Sequence, residues 1–157
     1  MKKYVKLLLP VLCMGIFGLA FAEQEPAAAE NPFDYTAMVY LNGNNFQETI
    51  SKTKGYFVVD FWTDGCKICK EIEEPMLELA EQETYTNANG EEIPLTIGEF
   101  KISDKEGLVK WGGKYDFTSF PALVIFKNGV RVQTIKANYG YRMMKTLKDF
   151  LSGSTQK

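Results

Sequence analysis

The 157-residue sequence contains no histidine and only three cysteines, Cys13, Cys66 and Cys69. A closed zinc site takes four ligands, usually Cys or His, and a c-type haem needs a histidine directly after the second cysteine of its motif. Lys70 follows Cys69 instead, so one chain supplies neither a metal site nor a haem site, and no cofactor is expected. Internal repeats are also lacking. With 18 basic residues scattered among 20 acidic ones, the chain carries no nucleic-acid footprint.

Long hydrophobic runs are confined to the start. "MKKYVKLLLPVLCMGIFGLAFA" has a basic head (Lys2, Lys3, Lys6), an apolar stretch from Leu7 to Phe21 and an Ala20-Phe21-Ala22 ending. This is the three-part build of a secretory signal peptide, expected to span residues 1–22. An uncleaved membrane anchor is the alternative, but spanning takes about 20 apolar residues, and this run is shorter and carries Pro10. Bulky Leu12 before Cys13 argues against a lipoprotein. Cleavage after Ala22 would remove three lysines and no acids, leaving a net charge of −5 and only Cys66 and Cys69. Residues 23–35, rich in Glu, Ala and Pro, read as a linker. Residues 36–157 then suit one domain with one core.

What is present is a cysteine pair in a telling place. "YFVVDFW" (56–62) is a buried strand of β-branched and aromatic residues. From Lys67 to Gln82, Ile68, Ile72, Met76, Leu79 and Ala80 follow helical spacing, with Glu71, Glu73, Glu74, Glu78 and Glu81 assigned to the outer, solvated face. Cys66 therefore stands at a strand-to-helix turn, near a helix N-terminus that favours thiolate over thiol. Lys67 and Lys70 add positive charge. Cys69, one turn on, is within reach to resolve a mixed disulfide. As a staple the pair would close too short a loop to stabilise much, so the reading is redox chemistry. The chain otherwise predicts a strand over 36–42, a helix over 44–55 and a loop from Thr84 to Ile93. A strand over 94–103 follows, then a short helix from Glu106 that ends at Gly112-Gly113. A hairpin about Asn128-Gly129 and a helix over 141–151 complete it. That order gives a mixed sheet with helices on both faces.

With "VVDFWTDGCKICK", the proline of "TSFPALVIFKNGV" and Gly140 before the last helix, the chain resembles the thioredoxin family over nearly all of the mature domain. The resemblance implies an α/β thioredoxin fold and dithiol–disulfide exchange with cysteine-containing proteins. It implies Cys66 as nucleophile, Cys69 as resolving thiol, Asp60 as the buried carboxylate that shuttles protons, and Pro121 as a cis-proline. Trp62, Phe120 and Pro121 would meet the substrate, the Phe120 backbone presenting itself strand-like beside the sulfurs. An exported, periplasmic reductase supplied by an unknown upstream redox partner is the expectation. A net oxidant or isomerase of envelope proteins, or a non-catalytic binding module of the same fold, are the alternatives. The chain also departs from the family. Lys67-Ile68 separates the cysteines, Gly65 replaces a second tryptophan, and Pro75 falls one residue later than the helix-kinking proline. Glu99 stands where a lysine is common near the buried aspartate. Whether Glu99 meets Asp60 or faces solvent depends on how strand 94–103 pairs.

Overall fold

The computed structural model describes residues 37–154. The expected signal peptide (1–22) and linker (23–35) lie outside them. The elements are β1 (Val39–Leu41), α1 (Phe46–Lys52), β2 (Tyr56–Trp62), α2 (Lys67–Glu81), β3 (Thr84–Thr86), β4 (Glu92–Lys101), α3 (Lys105–Tyr115), β5 (Ala122–Lys127), β6 (Val130–Ile135) and α4 (Gly140–Leu151). The sheet runs β1-β4-β2-β5-β6, with β3 paired to β4 off that path.

Pairing is parallel for β1 with β4 and for β2 with β4, and antiparallel for β2 with β5 and β5 with β6. β2 is therefore the centre, hydrogen-bonded along both edges. Because successive strand residues point to opposite faces, β2 feeds two cores. Tyr56 and Val58 join Ile72, Met76 and Leu79 of α2 and Met143, Met144 and Leu147 of α4. Phe57, Val59 and Phe61 join Phe46 and Ile50 of α1 and Tyr115 of α3. Helices cover both faces of a mixed sheet, as expected for an α/β thioredoxin fold. Among the described residues, no helix is long and apolar enough to cross a membrane.

Two expectations need correction. The segment assigned to a loop begins with β3, whose three residues pair antiparallel with Glu92–Pro94 of β4. The helix assigned to end at Gly112-Gly113 continues to Tyr115 and stops at Asp116 in the left-handed region (φ 63°). Gly112 is buried in that helix because a Cβ there would lie 2.2 Å from the Phe117 carbonyl oxygen. It marks a close approach, not a stop. The hairpin turn is as expected: Asn128 and Gly129 both have positive φ, the mark of a two-residue I′-type loop.

Candidate active site

β2 delivers the chain to the site end of the sheet at Trp62, and Gly65 then turns it into α2 with φ +72°, a conformation that costs glycine little. Cys66 is the N-cap of α2, and its sulfur accepts the Cys69 backbone N–H at 3.1 Å. The two cysteines are joined by a disulfide with a Cα–Cα separation of 5.3 Å. Cys66 is half-buried and Cys69 is buried. The free N–H groups of a first helical turn favour negative charge on such a sulfur once the disulfide is opened.

A cavity of about 310 Å³ lies against the disulfide. Asp60, Trp62, Cys66, Cys69, Glu73 and Glu99 are among its walls. The parallel register sets Asp60 directly beside Glu99, so the two side chains share a face of the sheet. The open question about Glu99 thus resolves toward Asp60. Glu73 is exposed, as expected of the solvated glutamates, and it also lines this cavity one helical turn beyond Cys69. The clue was available, since Glu73 is four residues from Cys69 and residues so spaced share a helix face.

Asp60 is 6 % exposed, and its Oδ1 has no hydrogen-bond partner. Burial, then the Glu99 and Glu73 charges, push its pKa up to about 8. Burial also raises the Glu99 pKa, followed by the charge of Glu73, while Trp62 opposes the rise. The Trp62 Nε1 is buried and meets no acceptor in hydrogen-bonding geometry. At the rim, Lys101 pairs with Asp64 at 2.8 Å and lies over the Trp62 ring at 5.1 Å. Among the described residues, no group of three or more His, Cys, Asp or Glu side chains is disposed to hold a metal ion.

The Phe120–Pro121 bond is cis. Ala122 pairs with Phe61, which brings Pro121 to the same sheet end as Trp62. The Phe120 ring packs back against Phe117 at 6.2 Å. Every residue singled out for the site is therefore gathered at one end of the sheet.

A family model described as Thioredoxin matches residues 37–152. The thioredoxin of Buchnera aphidicola subsp. Baizongia pistaciae is 31% identical over 115 residues, covering 73% of this chain and 93% of that protein. That of Buchnera aphidicola subsp. Acyrthosiphon pisum is 29% identical over 114 residues, with the same coverage of 73% and 93%. A protein disulfide-isomerase of Ricinus communis is 29% identical over 114 residues, which span only 22% of its length. Among solved structures, Chlamydomonas reinhardtii thioredoxin f2 superposes with a TM-score of 0.53 at 16% identity, covering 73% of this chain and 97% of that one. This last likeness speaks to the fold alone. The chain belongs to the thioredoxin family, and its Cys66–Cys69 pair is that of a thiol–disulfide oxidoreductase.

Proposed function

We propose that the protein is exported to the periplasm and there reduces disulfides of cysteine-containing proteins. The observation that carries the assignment of roles is the placement of the sulfurs. Cys66 is the more open of the two and caps α2, whereas Cys69 is buried against the carboxylates. In the reduced enzyme the Cys66 thiolate attacks one sulfur of the partner disulfide and displaces the other as a thiolate. Cys69, losing its proton, then attacks Cys66 and releases the second partner thiol. The partner gains two electrons and two protons, and the enzyme is left with the disulfide seen here. On this reading Asp60, which lines the same cavity as Cys69, exchanges that proton with it, and Trp62, Phe120 and Pro121 meet the partner strand.

The acidic lining supports reduction as the net direction. Oxidants of this chemistry hold their reduced form stable; carboxylates beside the sulfurs raise the energy of a thiolate and so favour giving electrons away. The leader-like start of the chain supports export into an oxidising compartment. The test is insulin reduction with a dithiol donor, together with alkylation of the reduced protein near pH 6. Turnover and preferential labelling of Cys66 are expected. Absence of turnover would leave only a binding module, and faster labelling of Cys69 would reverse the roles. A mature protein beginning at Glu23 and released as a soluble protein when the envelope is opened is the expected sign of export; a membrane-bound, full-length chain would overturn cleavage.

A further inference from the structure

The cavity beside the disulfide holds more acid than proton transfer requires. Glu73 and Glu99 line it from α2 and β4, and Asp64 stands at its rim. Asp64 already has a cation in Lys101. Glu73 and Glu99 have none: among the described residues neither forms an ion pair, and Lys70, on the same wall, forms none either. Independently of these acids, the Asp60 side chain is more than nine-tenths buried at the wall of the same cavity, with Oδ1 lacking any partner. A buried oxygen of that kind costs stability until a donor meets it. At about 310 Å³ the cavity is at the small end of ligand pockets, a size that suits one long side chain.

We propose that this cavity is a recognition subsite for a lysine or arginine side chain that lies within a residue or two of the partner cysteine engaged at Cys66. The inference rests on the exchange reaction proposed above and adds to it a substrate class: disulfides flanked by a cationic residue. An ammonium group has three donors, and Glu73, Glu99 and the open Asp60 oxygen give the cavity acceptors along its length. Because both cysteines line the cavity, a partner held by its own sulfur at Cys66 brings its neighbouring side chains to the cavity mouth. The aliphatic stem of such a residue would lie against Met38 and Trp62, which also line it, while its charged end reaches the acids.

The test compares mixed disulfides of glutathione with short cysteine peptides. These carry lysine, glutamine or glutamate one or two residues from the cysteine on either side, and the enzyme is kept reduced by dithiothreitol. For the full mature protein at low salt, kcat/KM for the best lysine peptide should exceed that for its glutamine counterpart by about tenfold, the low end for a close, partly desolvated charge pair. The glutamate peptide should fall below both. Raising ionic strength should shrink the ratio. The double variant Glu73→Gln, Glu99→Gln should bring the lysine-to-glutamine ratio close to one, and because the ratio compares two peptides, any common change in the chemical step cancels. A ratio near one in the parent protein, or a high ratio that survives the double variant, would overturn the subsite. Failure to reduce any of the peptides would instead count against the exchange reaction itself.

Discussion

The two faces of the central sheet are built from different materials. Beneath α1 and α3 the core is aromatic: Phe46, Phe57, Phe61, Phe100, Phe117 and Phe126 are all buried there with Tyr115. Phe46 alone has five ring neighbours with centroids 5.0–6.0 Å away. Beneath α2 and α4 the core is aliphatic and rich in methionine, with Ile72, Met76, Met143, Met144 and Leu147. That face gives way, at the site end, to an unpartnered carboxylate. Phe61 and Asp60 are adjacent in β2 and both buried, yet Phe61 packs among aromatic rings while Asp60 leaves an oxygen without a partner, a cost to the fold that the proposed proton transfer would explain. Stability and reactivity are thus divided between the two sides of one strand.

Variants can break that division. The largest effect should come from Cys66→Ser, which should reduce exchange to the uncatalysed background, while Cys69→Ser accumulates mixed disulfides that a non-reducing gel would display. On the aromatic face, Phe46→Ala should cost about 3–5 kcal/mol in urea unfolding and leave the reaction of the folded fraction unchanged. A matching loss of exchange rate would show that the faces are not independent.

Asp60→Asn should do the reverse: slow exchange by up to about 10²-fold and stabilise the protein. The sign follows from its pKa, about 8 in the fold against 3.8 for the ordinary group. Between these values the folded state keeps a proton that the unfolded chain has lost. The Asp60 contribution to stability is therefore complete below about pH 4 and disappears as the pH climbs to about 8. The asparagine variant lacks that decline, so its advantage should exceed about 1 kcal/mol at pH 8 and vanish near pH 3.5, as paired denaturation curves at the two pH values would reveal.

Glu99→Lys should lower the Asp60 pKa by replacing a repelling charge with an attracting one, moving the acid limb of the pH–rate profile downward. If neither this variant nor Asp60→Asn alters the profile, the thiols exchange protons with water and Asp60 has no shuttle role. The smallest effect is expected for Gly65→Ala. Its left-handed φ should make the substitution cost about 1 kcal/mol, measurable as a lower urea midpoint.

The sequence carried the reactive side of this comparison well, because strong local signals coincide there. β2 is a run of β-branched and aromatic residues, α2 has helical periodicity, and the cysteines fall at the junction. An acid within "YFVVDFW" is anomalous enough to announce its desolvation. What escaped depended on tertiary contact. β3 is three residues of Thr and Tyr, too short for a pattern, and exists because β4 offers it an edge. Gly112 looked like a helix stop because the closeness of Phe117 cannot be read from one segment. Glu73 is exposed like the glutamates around it, and only the cavity distinguishes it. Glu99 was undecidable until the pairing of β2 with β4 fixed which face it shares.

The position of β2 also governs motion. Its residues are paired with Leu95–Lys101 on one edge and with Ala122–Lys127 on the other, so its amides should be among the slowest in the molecule to exchange with deuterium, opening only when the whole domain unfolds. The first turn of α2, at a helix end, should exchange sooner. Local fluctuations can therefore carry the sulfurs toward a partner while Asp60 stays fixed. The group that most burdens the fold rides on the strand least able to move it into water.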